Sequence, residues 1–155
     1  MTTAEEIVKS RDREIITVPP DTPIHDAVKL MVNMKIGAIL IKENDNIVGI
    51  WSERDLMRNV LIEGFDIRRE RVETHMSTNL HYIPHTATIS EMMDRLLGLF
   101  VRHLLVEREG EFIGFISSGD VMRATLLETE AEYKKLQRIT SWEYYENWKW
   151  DRKDR

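Results

Sequence analysis

The sequence predicts an α/β (α+β) fold of two pseudo-symmetric units, each running strand-helix-strand-strand-helix, packed on each other. Two observations carry this expectation. Residues 18–58 realign on residues 83–123 at a constant offset of 65 without a gap, and eight of the 41 pairs are identical, beginning at Pro19, Ile24, Leu40, Gly49, Ser52, Asp55, Met57 and Arg58. Seventeen pairs are apolar in both copies, where unrelated positions would give about seven. A unit this small buries a poor core alone, so the two halves are expected to pack together about a pseudo-twofold axis. The expected organisation is residues 1–68 for an N-terminal helix and the first unit, 69–130 for the second, and 131–155 for an aromatic, charged C-terminal helix or tail.

Thr3 and Glu6 have capping-box spacing, and Ile7-Val8 give a short helix over residues 3–9 something to bury. Ile15-Ile16-Thr17-Val18 reads as a strand ended by Pro19-Pro20. Thr22-Pro23 reads as a cap and first helical residue, and apolar positions 24, 27, 28, 31 and 34 mark one helical face ending near residue 34 or 35, before Gly37. Residues 38–41 and 47–51 read as strands of a hairpin around Glu43-Asn44-Asp45-Asn46. Ser52 opens a helix through about residue 62, with Gly64 placed to end it. The second copy repeats the order: a strand at 80–83, a helix at 89–100 with Thr88 and Glu91 at capping-box spacing, strands at 104–106 and 112–116 around Glu109-Gly110, and a helix from Ser118 or Gly119. Residues 64–79 read as the connection.

The chain has no cysteine, hence no disulfide framework or thiolate metal site, and a cytoplasmic location is the default. Its first residues lack the basic start and apolar stretch of a signal peptide, and no apolar run reaches membrane-spanning length. A net charge of −5 opposes general nucleic-acid binding. The basic cluster Arg68, Arg69 and Arg71 reads as a solvated linker face.

Each copy places Gly-x-x-Ser-x-x-Asp where a strand turns into a helix: Gly49, Ser52, Asp55 and Gly114, Ser117, Asp120. A helix start offers unpaired N–H groups and a positive dipole end, which suit phosphate. A serine hydroxyl adds a hydrogen bond. The aspartate repels phosphate, but its acceptor oxygens suit the vicinal hydroxyls of ribose. The same spacing also describes a capping box, in which these residues simply satisfy the helix's own donors. Both readings stand at this level.

These stretches, Gly49-Ile50-Trp51-Ser52-Glu53-Arg54-Asp55-Leu56 and Gly114-Phe115-Ile116-Ser117-Ser118-Gly119-Asp120-Val121, resemble the cystathionine beta-synthase (CBS) domain, and the tandem pair resembles a Bateman module. With the strand-opening prolines and Gly37-Ala38, the resemblance covers about residues 7–127. It implies two small units packed through their sheets, with clefts that bind AMP, ADP, ATP or another adenosyl ligand, and a homodimer. It assigns ribose to Asp55 and Asp120 and phosphate to Ser52 and Ser117, with Ser118 beside them. It assigns the base pocket to Ile16, Thr17, Val18 and to His81, Tyr82, Ile83. The family's basic position after the first long helix is Arg102-His103 in the second copy and Gly37-Ala38 in the first, whereas Arg54 is matched by Gly119. Unequal clefts are therefore expected, with cationic help from Arg102, His103 or Arg54.

His75, His81 and His85 lack cysteine partners and straddle Pro84, so no metal site is expected. Ser117, Asp120 and His103 come with no nucleophile-elbow motif, so no enzyme activity is expected. Three of the four tryptophans (Trp142, Trp148, Trp150) and three of the four tyrosines (Tyr133, Tyr144, Tyr145) follow residue 130, with Leu136, Ile139, Trp142, Tyr145 and Trp148 three apart. This segment reads as a last helix folding back over its own module, as a partner surface, or as a disordered tail. The functional expectation is a non-catalytic regulatory module that binds an adenine nucleotide, with no required cofactor, and acts on a separate effector protein. The alternative is a ligand-free structural or dimerisation module.

Overall fold

A computed structural model describes residues 1–11 and 14–151, with side chains as far as Thr140. The elements in order are α1 (Ala4–Ser10), β1 (Thr17–Val18), α2 (Ile24–Met34), β2 (Ala38–Glu43), β3 (Asn46–Ser52), α3 (Glu53–Asn59), α4 (Val72–His75), β4 (Tyr82–Pro84), α5 (Ile89–Gly98), β5 (His103–Arg108), β6 (Glu111–Ser117) and α6 (Ser118–Asp151). They build two three-stranded mixed sheets, β1-β2-β3 and β4-β5-β6. In each, the short opening strand runs parallel to the middle strand, and the hairpin is antiparallel. The hairpin turns place Asn44 and Asp45, and then Glu109 and Gly110, at positive φ, which matches the twist of paired strands.

Alternation along the middle strands separates two faces. Ile39 and Ile41 enter the first core with Ile24, Ala27, Met31 and Trp51, and Leu104 and Val106 enter the second with Met92 and Ile116. Leu40 and Leu105 lie between these positions, on the opposite faces, and are also buried. Those faces turn toward the other unit: Ala38 and Leu40 share one cleft wall with His103 and Phe115.

The helices that close the cores are exchanged. Thr3 and Glu6 form the capping box expected at α1, but this helix packs on the second unit. Ala4 N–H donates to the Ala87 carbonyl at 2.8 Å and Glu5 N–H to the His85 carbonyl at 3.0 Å, while Ala4 and Ile7 are buried among second-unit residues. The expected connection holds α4, which returns the exchange: Val72 is buried in the first unit's core. These crossings explain the recurring glycines. A Cβ on Gly114 would stand 2.5 Å from both Val8 methyls, and one on Gly49 2.2 Å from Met76 Sδ.

Several element ends differ from expectation. Thr22 does not cap α2; its hydroxyl donates to the Pro19 carbonyl at 2.7 Å, and Pro23 occupies the cap position without a side-chain bond. Lys35, at φ 54°, ends that helix before Gly37 is reached. Helix α3 stops at Asn59 rather than near residue 62, and Asn59 turns inward to accept a 3.0 Å bond from Trp51 Nε1. Helix α6 runs on to Asp151, and residues 129–140 are exposed. Over those residues it does not fold back over its own module. The side chains of Trp142, Tyr144, Tyr145, Trp148 and Trp150 lie outside the described residues. Among the described residues no helix is long and apolar enough to cross a membrane.

Candidate functional site

Both recurring motifs sit where β3 runs into α3 and β6 into α6, and both are complete caps. Ser52 N–H and Oγ–H each donate to Asp55 Oδ2 at 2.9 Å, and Asp55 N–H returns to Ser52 Oγ at 3.4 Å. In the second copy the same three bonds between Ser117 and Asp120 measure 2.7, 2.6 and 3.2 Å. The first helical N–H groups are also engaged: Glu53 donates to the Gly37 carbonyl and Ser118 to the Arg102 carbonyl, each at 2.9 Å. Of the two readings that the motif left open, these bonds are those of the capping box. Only the Arg54 and Gly119 amides are left out of these bonds. Each cap uses Oδ2 of its aspartate, and Asp55 Oδ1 faces Arg58 Nη1 at 3.7 Å.

Two clefts run between the units. The larger, about 590 Å³, brings Ser117 and Asp120 of the second unit against Ile16, Lys35, Gly37 and Ala38 of the first. The other, about 380 Å³, brings Ser52, Arg54, Asp55 and Arg58 of the first unit against His81, Phe100, Arg102 and His103 of the second. Each cleft thus joins the aspartate of one copy to the opening segment and helix-strand joint of the other. This crossing regroups the cations. Arg54 and Arg102, expected to distinguish the two clefts, share one, and Arg58 joins them. The larger cleft has Arg11 and Lys35 instead.

Of the expected base-pocket residues, Ile16 and His81 line clefts. Thr17, Val18, Tyr82, Ile83 and Ser118 line neither of the two. Val18 and Ile83 point into the two cores, as strand alternation requires. Thr17 and Tyr82 are half-buried in the strands paired with Leu40 and Leu105.

His103 borders both clefts. Its ring stacks on Phe115 with centroids 5.0 Å apart. Burial, reinforced by the neighbouring Arg102 charge, lowers its pKa to about 4, so at neutral pH it contributes no positive charge. The expected cationic role therefore falls to the arginines.

Sequence reasoning missed Arg11, Lys35, Arg58 and Phe100. Arg11 Nη1 donates to the Phe115 carbonyl, lies 3.5 Å from Asp120 Oδ2, and sets its guanidinium 5.9 Å from the Phe115 ring centre. In the first unit the corresponding Ile50 carbonyl accepts from the Ser77 backbone N–H at 2.8 Å, so a side chain has replaced a main-chain donor. Arg58, 3.7 Å from Asp55 Oδ1, was legible as one of the identical pairs. Lys35 and Phe100 are partners at the same offset, and both adopt positive φ, 54° and 53°. Of the three clustered histidines, His75 is held by Glu70 at 3.0 Å and edge-on to Phe65. Among the described residues no group of three or more His, Asp or Glu is placed to hold a metal ion.

Comparison with known proteins follows the same twofold division. The family model of the CBS domain matches residues 4–62 and again 70–127. The chain is 28% identical over 144 residues to the mitochondrial CBS domain-containing protein CBSX3 of Arabidopsis thaliana, covering 87% of this chain and 70% of that one. Among solved structures, the CBS-domain containing protein ATU1752 from Agrobacterium tumefaciens aligns with a TM-score of 0.74 and 32% identity, over 80% of this chain and 99% of that one. A candidate signal-transduction protein with CBS domains from Burkholderia ambifaria MC40-6 aligns with a TM-score of 0.76 and 34% identity, over 81% and 95%.

Proposed function

The chain belongs to the CBS-domain family, with two copies in tandem, and from that premise we propose that it is a non-catalytic regulatory module binding an adenine nucleotide, or a related adenosyl ligand, in the clefts between them. The observation that carries the reading is the content of the smaller cleft: Arg54, Arg58 and Arg102 converge beside Asp55. Guanidinium groups suit phosphate oxygens, and Asp55 Oδ1 suits a ribose hydroxyl. Asp120 offers the same acceptor in the larger cleft, where the aliphatic Ile16 and Leu40 supply a surface for a base and Arg11 and Lys35 supply charge. Both volumes fall in the range of small-molecule sites. Occupancy acts through conformation or assembly, in a homodimer that reports to a separate effector protein in the cytoplasm. A ligand does this only by binding two states with different affinity.

A second reading, a ligand-free structural or dimerisation module, draws support from the caps, which are complete without any ligand. Thermal denaturation with AMP, ADP, ATP, NADH and S-adenosylmethionine separates the two. Ligand at a hundred times its Kd adds about 2.7 kcal/mol, a rise in Tm of roughly 5–10 °C for a chain of this size. Because Asp55→Ala and Asp120→Ala also remove caps, the quantity compared is the ligand-induced shift within each variant. Arg102→Ala leaves both caps intact and is expected to abolish the shift of the smaller cleft's ligand. If no compound of the panel at millimolar concentration moves Tm, the nucleotide reading fails for that panel.

A further inference from the structure

Arg11 stands directly after α1, yet its guanidinium reaches across to β6 and the start of α6. Nη1 donates to the Phe115 carbonyl and lies 3.5 Å from Asp120 Oδ2, and the group sits 5.9 Å from the centre of the Phe115 ring. These three contacts hold the side chain in place, and it is only 27% exposed. Arg11 and Asp120 both line the larger cleft, and neither lines the smaller. The smaller cleft is built differently. The bridges Thr3–Thr88 and Arg71–Pro23 put Asn79, an uncharged residue, at the place of Arg11, and it lines the smaller cleft. The arginine nearest Asp55 is Arg58, on the same helix and 73% exposed. Asp55 is therefore met by a cation free to swing into solvent, and Asp120 by one that is held.

The held cation stands on the carboxylate that the nucleotide reading gives to ribose, so its effect depends on the charge of the ligand. An uncharged nucleoside offers Asp120 hydroxyl donors in place of a guanidinium and gives Arg11 no new partner. A phosphorylated ligand offers Arg11 a second anion. With five N–H donors, Arg11 can keep the Phe115 carbonyl and turn toward phosphate, forming charge-assisted, bidentate bonds that it does not make to Asp120. Asp120, still capped by Ser117, is then released to accept from a ribose hydroxyl. We infer that Arg11 is the specificity-determining residue of the larger cleft, a gate that excludes uncharged nucleosides and admits phosphorylated ones. The inference rests on the nucleotide reading of this cleft and goes beyond it by making one side chain both the barrier and the phosphate contact.

Calorimetric titration of the full-length protein with adenosine, AMP, ADP and ATP tests the gate, in the Arg102→Ala background so that the larger cleft dominates the signal. Arg11→Met keeps an unbranched side chain against Phe115 and loses the charge and the donors. It is expected to bind adenosine roughly two- to fivefold more tightly and the phosphorylated ligands about tenfold more weakly. Lys35 lines the same cleft without pairing Asp120, and Lys35→Asn, which suits the left-handed backbone there, should weaken the phosphorylated ligands and leave adenosine unchanged. Arg11→Lys keeps the charge and should regain part of the phosphate affinity, which also shows that the site folds without the guanidinium. The opposite signs for Arg11→Met separate the gate from other roles. A structural role weakens every ligand, and a simple phosphate contact leaves adenosine unchanged; either result overturns the inference and leaves the nucleotide reading in place. Binding of none of the four ligands, by parent or variant, defeats the nucleotide reading of the larger cleft and the gate with it.

Discussion

Replacing Gly114 by alanine tests why the motif glycine recurs. In β6 the new methyl would meet Val8 Cγ1 and Cγ2 at 2.5 Å and Val8 Cβ at 3.0 Å, about 1 Å inside ordinary carbon contact. Val8 cannot easily withdraw. It is β-branched, its helical χ1 has one strongly preferred value, and α1 is tied to the second unit through the Ala87 and His85 carbonyls. Relief requires α1 to move as a body, and overpacking of this kind costs about 2 kcal/mol, or roughly 4–8 °C in Tm. Val8→Ala alone removes two methyl-sized groups from a half-buried site and costs about 1 kcal/mol. Together the substitutions should cost clearly less than their sum, with a coupling of about 1–2 kcal/mol. Urea denaturation of the four proteins by circular dichroism measures this. Gly49→Ala is the internal comparison. Its nearest atom, Met76 Sδ at 2.2 Å, belongs to an unbranched side chain that can swing aside, so the loss should be smaller. A fully additive pair, or a Gly114→Ala protein as stable as the parent, would falsify the close-approach explanation.

Two further outcomes follow from buried polar groups. Asn59→Leu deprives Trp51 Nε1 of its acceptor in the first core and should cost about 1–3 kcal/mol; adding Trp51→Phe should recover part of that loss, and an unchanged denaturation midpoint in Asn59→Leu would show the bond to be dispensable. His103 has a pKa of about 4 in the folded protein against an ordinary value near 6.5, so between those values the unfolded chain binds a proton that the folded chain refuses. Stability should fall as pH drops from 6.5 toward 4, by up to about 3 kcal/mol from this residue, and His103→Phe, which keeps a ring on Phe115, should flatten that part of the profile. Parallel profiles for parent and variant would contradict the assignment.

The hairpins, the long helices and both Ser-Asp caps were legible because one offset, 65, holds from residue 18 to 58. That offset fails upstream, and the structure shows where. Thr3 bridges Thr88 as Arg71 bridges Pro23. Thr88 and Pro23 obey the 65-residue register, but Thr3 and Arg71 are 68 apart, so α1 and α4 are counterparts displaced by three residues. Their sequences hide the relation, since Ile7 answers to His75 and only Ala4 with Val72 and Val8 with Met76 preserve apolar character. A gapless alignment therefore registers α4 as a connection and Arg11 as nothing at all. The same exchange decides what each cleft contains. A linear reading assigns Arg54 to the first copy's site and Arg102 to the second's, because it takes each copy as the owner of one cleft. Once each sheet faces the other unit, the aspartate end of one copy lies against the helix-strand joint of its counterpart, and the two arginines converge. The inequality between the clefts is therefore a property of pairs of positions, one from each copy, and only the packing of the units reveals which positions are paired.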